Sequence, residues 1–312
     1  MSKARGRATK PRNWSVTHHG RNVHVVKVKA STSRGWEQWL YLRSDAHTDN
    51  AKADHSLEVR HLKEAVERDA IIIDCGDALD LMCGVADRRQ SKAMLRSSHL
   101  AAAYFDRVIE ESAERYAPYS SHWAVLGTGN HETAWLKHHE TDPTAHLVRA
   151  IKMHNRESPI AAGGWGGWVK VQVTLCNSHM AWTLRYAHGG SAGGQMTFGT
   201  LDTRRMYSWI EGADMIAMGH THDSNIVGIS REYLESSNGV YEVRKRHCDF
   251  VRIGNFKDDW GDGSAGWAVE KNGGPKPTRA KWVRLFARHE TVGEGREARG
   301  RVRLAWEVFD AQ

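Results

Sequence analysis

The chain has 312 residues, 40% of them hydrophobic, enough for one large core or two modest ones. Its apolar runs are short, and none approaches the roughly 20 residues that a helical membrane span needs. A net charge of +7 and a pI of about 9.2 lean towards polyanionic partners and away from a membrane-embedded role.

The N-terminal stretch, Met1 to Asn13, carries Lys3, Arg5, Arg7, Lys10 and Arg12 but no apolar segment, so it does not read as a secretory signal. It reads as a solvated tail, or as a basic arm that touches nucleic acid. Residues 1–34 are taken as tail and lead-in, and 35–312 as one domain. Cys75, Cys83, Cys176 and Cys248 form no CxxC pair, which argues against a thiolate zinc knuckle and for a reduced, cytoplasmic protein. Cys75 is expected to be a small core residue. Most of the thirteen tryptophans are expected in or near the core, leaving some to stack on bases or sugars.

Trp39 to Ser44 predicts a strand that delivers Asp45 at its end. Residues 54–69 follow with helical spacing of Leu57, Leu62, Ala65 and Val66. Ala70 to Cys75 is a β-branched run of the kind buried on both faces of a sheet, and it stops at Gly76-Asp77. Met94, Leu95, Ala101, Ala102, Phe105, Val108, Ile109 and Ser112 recur at spacings of three and four and predict a helix. Trp123 to Leu126 predicts a short strand before Gly127-Thr128-Gly129-Asn130-His131-Glu132. This alternation argues for parallel strands with right-handed crossovers, and ligands of such sheets gather beyond the carboxyl ends of the strands.

Asp142-Pro143 opens a further helix through Leu147, Val148 and Ile151. Gly163-Gly164-Trp165-Gly166-Gly167 breaks the chain. Strands are predicted over Trp168 to Thr174 and Met180 to Ala187, the latter leading into His188-Gly189-Gly190. A helix around Leu201 to Glu211 precedes a strand, Asp214 to Met218, that ends in Gly219-His220-Thr221-His222. Beyond Asn225 the pattern is β, near 226–229, 240–243, 250–253, 282–286 and 302–309, with Asp258 to Pro277 as a long surface loop.

Seven candidate ligands stand at or just after these strand-like runs: Asp45, His47, Asp77, Asn130, His188, His220 and His222. Imidazole suits zinc, iron and nickel, while carboxylate and carbonyl oxygens suit manganese and magnesium. The mixed set predicts two divalent cations, with manganese the best fit and iron, zinc or nickel as alternatives. In an extended segment residues i and i+2 share a side, so Asp45 and His47 can reach one ion, and so can His220 and His222. Two cations roughly 3.5–4 Å apart need a bridging anion, for which Asp77 is the choice. Of the single motifs only Gly129-Asn130-His131-Glu132 is moderately specific; the co-occurrence, order and strand-end placement of all of them carry the metal reading.

The set Asp45-x-His47, Gly76-Asp77-x-x-Asp80, Gly129-Asn130-His131-Glu132, His188 and Gly219-His220-x-His222 resembles the calcineurin-like metallophosphoesterases, in order and in type, over about residues 45–222. The resemblance implies an α/β fold, a four-layer α/β/β/α sandwich of two mixed sheets flanked by helices, with the C-terminal strands completing the second sheet. It implies one metal held by Asp45, His47, Asp77 and His222, and another by Asp77, Asn130, His188 and His220. His131 would stabilise the transition state or give a proton to the leaving oxygen. Asp80 and Glu132 would orient His131 or a ligand histidine. A hydroxide bridging the two cations, with Asp77, would attack phosphorus in line. One departure is Gly189-Gly190 after His188, where many members place a further polar residue.

The expected substrate is a phosphodiester of nucleic acid or a nucleotide, with DNA or RNA as partner. Arg43, Arg88, Arg89, Arg204 and Arg205 are candidate contacts. The alternative is a phosphomonoesterase, including a protein phosphatase. A non-catalytic metal-binding module is a third reading, opposed by the retention of every ligand and of His131.

Overall fold

A computed structural model describes residues 12–83, 95–99, 103–190, 197, 199–237, 239–264, 267–270, 272–292 and 299–312. In chain order the first half holds β1 (Trp14–His19), β2 (Val23–Ala30), β3 (Glu37–Arg43), α1 (His55–Glu67), β4 (Ile71–Asp74), α2 (Tyr104–Tyr116), β5 (Trp123–Leu126), α3 (Asn130–His139) and α4 (Pro143–His154). The second half holds β6 (Ala161–Ala162), β7 (Gly166–Leu175), β8 (Ser178–Ala187), α5 (Thr200–Trp209), β9 (Met215–Met218), β10 (Ser224–Ser237), β11 (Val240–Ile253), α6 (Trp267–Glu270), β12 (Ala280–Val292) and β13 (Arg299–Ala311).

The strands form two sheets, one ordered β1-β2-β7-β8-β9-β11-β10 and the other β13-β12-β3-β4-β5-β6. Both are mixed. In the second, β3, β4, β5 and β6 run parallel while β12 and β13 are antiparallel additions. Strand β4 explains its own burial. Ile71 and Ile73 pack into a cluster with Val169, Val171 and Leu184 of the other sheet, while Ile72 points the opposite way, towards Leu62, Val108 and Leu147 of the helices. A third cluster, Met206, Ile210, Ile216 and Phe250, joins α5 to the seven-stranded sheet.

Helix starts follow local chemistry. The Asp54 side chain accepts from Leu57 N at 2.9 Å to open α1, and Asp142 accepts from Ala145 N at 3.0 Å with Pro143 in the first turn of α4.

Other expectations shift. The helix read from Met94 begins only at Tyr104, because Ala103 takes a left-handed backbone (φ 62°) that a helix cannot run through; Met94, Ala101 and Ala102 lie outside the described residues. The lead-in from Trp14 to Ala30 supplies β1 and β2, and β2 pairs parallel with β7. The glycine-rich break is short, since β7 already begins at Gly166. Asn130–His139, a stretch with no predicted element, is helical. The 258–277 segment contains the short helix α6.

Backbone hydrogen bonds tie together the carboxyl ends of β3, β4 and β5 in one sheet and those of β8 and β9 in the other. Asp45 N reaches Gly76 O at 2.9 Å and His47 N reaches Asp77 O at 3.0 Å. Gly127 N reaches Asp74 O at 2.9 Å, and Gly219 N reaches His188 O at 3.0 Å.

Candidate metal centre

Five of the seven candidate ligands have left-handed backbones: Asp45 (φ 54°), His47 (45°), Asp77 (53°), His220 (73°) and His222 (58°). Such conformations cost about 1–3 kcal/mol each and persist only where the surroundings over-determine them. The surroundings here are tight. A Cβ on Gly129 would stand 2.1 Å from Asp77 Oδ1, and one on Gly219 would stand 1.9 Å from Ser44 Oγ and 2.3 Å from Asp45 Oδ2. Only glycine lets the β5 and β9 loops approach the aspartates this closely.

The seven side chains come together. Asp45, His47 and His222 form one group, Asp77, His188 and His220 another, and His47, Asp77 and His131 lie between them; within each group the ligand atoms are within 4.8 Å of one another. Asn130 Oδ1 joins the second group, 2.9 Å from His188 Nε2 and 2.7 Å from His220 Nδ1. Asp77 Oδ2 lies 3.2 Å from His188 Nε2 and 3.8 Å from His131 Nε2, a position shared by two groups. His220 and His222 do not share a group. Their left-handed backbones remove the alternation of an extended segment on which that expectation rested.

Supporting contacts hold this arrangement. Asp80 Oδ1 lies 2.8 Å from His47 Nδ1, orienting that histidine, while the Asp80 carbonyl accepts from His131 Nδ1 at 2.5 Å. The latter bond leaves His131 Nε2 as the ring atom turned towards Asp77. Glu132 accepts backbone N–H bonds from Gly129 (2.8 Å), Leu79 (3.0 Å) and Asp77 (3.2 Å), so it braces the β4 and β5 loops. Lys257 and Asp259, at the start of the segment expected as a surface loop, reach the cluster. Lys257 Nζ lies 3.5 Å from Asp80 Oδ1, and Asp259 Oδ2 lies 3.8 Å from His222 Nδ1. No local motif marks them; only the return of the chain after β11 brings them here. Arg252, fully buried, donates to Gly219 O at 2.7 Å and to Gly199 O, and so fixes the His220 loop.

Burial pushes the Asp77 carboxyl up, but His188, His131 and His47 facing it override that and hold it well below the usual carboxylate range. Asp45 is likewise opposed by burial and drawn down to about 2, chiefly by His222 and His188. Burial lowers His188, yet Asp77 and Asp45 raise it to about 9. The site is thus a concentration of negative oxygens that demands positive charge.

The donors fit divalent cations. Two imidazole nitrogens bound to one ion at about 2.1 Å stand roughly 3.0–3.4 Å apart. His47 Nε2 and His222 Nε2 are 3.3 Å apart, and His188 Nε2 and His220 Nδ1 are 3.2 Å apart. Asp45 Oδ1, deeply buried, accepts no hydrogen bond from the described residues and faces His222 Nε2 at 3.5 Å. A buried carboxylate oxygen left this way is costly unless a cation completes it.

Among the candidate phosphate contacts, Arg43 is corrected. It is fully buried, paired with Asp74 at 2.7 Å and Glu58 at 2.8 Å, and packed over Tyr116 and Trp123. It belongs to the support beneath β3. Arg204 and Arg205 are exposed on α5, and Arg88 and Arg89 lie outside the described residues. Cys75 is buried, and its thiol is pushed up by burial, as a core residue's would be. Among the described residues no helix is long and apolar enough to cross a membrane. No protein-family model matches the chain, and no curated protein is detectably similar to it.

Proposed function

We propose that this chain is a dimetal phosphoesterase of the calcineurin-like kind, with its two sheets and flanking helices as the four-layer α/β/β/α sandwich, and that it hydrolyses phosphodiesters of nucleic acid or nucleotides. One observation carries the reading. Seven oxygen and nitrogen donors from five strand ends converge in overlapping groups, chained through His47 and Asp77, with His131 between them.

In this reading Asp45, His47 and His222 hold one cation with Asp77, and Asn130, His188 and His220 hold the other with Asp77. When bound, such a pair of cations, manganese in the first instance, supplies Lewis-acid charge neutralisation and makes water a nucleophile near neutral pH. His131 does the proton work. Its Nδ1–H donates to the Asp80 carbonyl, so a second proton on Nε2 faces the reacting phosphate and passes to the leaving oxygen. Asp80 keeps His47 turned to its ion, and Glu132 keeps the Asp77 and Gly129 backbones in register. The basic balance of the chain favours an anionic polymer or nucleotide over a neutral substrate.

The test is hydrolysis of bis(p-nitrophenyl) phosphate and of p-nitrophenyl phosphate by the full chain with added manganese, with metal analysis alongside. Two manganese ions per chain and faster cleavage of the diester are expected. A chain that stays metal-free and inert refutes the proposal, and a preference for the monoester refutes the diesterase part of it.

A further inference from the structure

Trp165 ends the glycine-rich segment before β7 and stands directly across from His188. Strands β7 and β8 pair Gly166 with Ala187, and the His188 N–H donates to the Trp165 carbonyl at 2.7 Å. Opposed residues of an antiparallel pair send their side chains to the same face. The Trp165 ring accordingly packs edge-on against the His188 imidazole, with centroids 5.2 Å apart at 85°. His188 is fully buried, whereas Trp165 is 44% exposed.

The segment that presents this ring is pinned. Gly163 N donates to Leu126 O at 2.7 Å, Thr128 N donates to Gly164 O at 3.1 Å, and Gly164 N donates to Arg21 O at 2.9 Å. The Arg21 guanidinium, half-exposed and ion-paired with Asp142 at 2.5 Å, returns to Gly163 O at 2.9 Å and to Thr128 Oγ1 at 3.3 Å. On the neighbouring loop Gly189-Gly190 adds no side chain. The outcome is a rigid aromatic face, open on one side, in contact with His188 of the donor cluster. Trp123 and Trp182, by contrast, are spent in the core.

We propose that Trp165 is the stacking platform for a nucleobase of the ester bound at the cluster, so that the substrate is a nucleoside phosphodiester. The inference rests on the phosphoesterase reading above. A flat ring stacks on any base face without reading its edge, so the preference is for a base and not for a particular sequence. The phosphate joined to that base then falls at the cations.

The experiment uses the full chain with manganese and two diesters that share a leaving group, thymidine 5′-(p-nitrophenyl phosphate) and methyl p-nitrophenyl phosphate. For Trp165→Ala, kcat/KM on the thymidine ester is expected to fall about tenfold, mostly in KM. On the methyl ester it should stay within about twofold of wild type. Trp165→Phe should retain most of the thymidine activity. Trp165→Leu, which fills the space without a π face, should lose it as Ala does and serves if the Ala variant does not fold. Manganese content should match wild type throughout. Equal losses on both esters, a Leu variant as good as wild type, or lost manganese would show that Trp165 only props His188, and would overturn the inference alone. Wild-type chain inert towards both esters would overturn the phosphoesterase reading and this inference with it.

Discussion

Replacing Glu132 should unfasten the site from beneath. The carboxylate is 1% exposed and accepts three backbone N–H groups, from Gly129 and Asp77 on Oε2 and from Leu79 on Oε1. Each buried donor left without an acceptor costs about 1–3 kcal/mol. Glu132→Ala orphans all three, and with water entering the space the loss is expected to be about 4 kcal/mol. Glu132→Gln keeps one acceptor oxygen but turns an amide N–H towards a backbone donor, for about 2 kcal/mol. Against a total of 5–15 kcal/mol, roughly what a domain has, these are large. Urea unfolding of chelator-treated protein measures them free of metal linkage, and the slope with denaturant should stay constant. Bound manganese should fall in the same order, because the braced loops carry Asp77 and Asn130. An Ala variant within about 1 kcal/mol of wild type at equal slope would refute this account of Glu132.

Asp77→Asn, by removing the carboxylate that stands with His188 and His220 on one side and with His47 and His131 on the other, should abolish turnover and bring manganese below two per chain; normal rates would rule out the bridging role. His131→Ala should lower kcat by about 10²–10⁴ with both ions still bound, and an emptied site would instead make His131 a ligand. Stability should fall as pH drops from about 6.5 towards 4. Burial and the charge of His18 hold His24 down at about 4, so over that window the unfolded chain takes a proton the folded chain refuses. The loss amounts to about 3 kcal/mol at most, and His24→Phe should flatten the urea midpoint between pH 7.5 and 5; an unchanged slope would clear His24. Removing residues 1–11, with Lys3, Arg5, Arg7 and Lys10, should weaken DNA binding at low salt without altering rates on small esters, as measured by filter binding and nitrophenolate release.

Local chemistry alone determined a good part of this protein. The Ile71-Ile72-Ile73 run is apolar on both sides because both of its faces are covered, and a strand of that composition can hardly sit anywhere else. Asp54 and Asp142-Pro143 announce helix starts through bonds that span only three residues. The donor types at the strand ends were legible for the same reason: a short strand, a glycine and a polar ligand are adjacent in the chain.

Tertiary structure decided the rest. Arg43 looked available to a phosphate until Glu58 and Asp74, from different elements, closed around it. Strands β1 and β2 pair with each other as a local hairpin, but only the parallel pairing of β2 with the distant β7 makes that hairpin part of the seven-stranded sheet. Helix α3 carries little apolar periodicity and begins where Gly129 and Glu132 cap it beside Asp77. The split of His220 and His222 between two ligand groups, implied by the family resemblance but not by strand alternation, goes with left-handed backbones at both residues beside Asp45 and the Gly219 turn. A sequence states which groups are present and how neighbours alternate. Burial, charge compensation and backbone strain arise between segments distant along the chain, and those set what each group at the centre does.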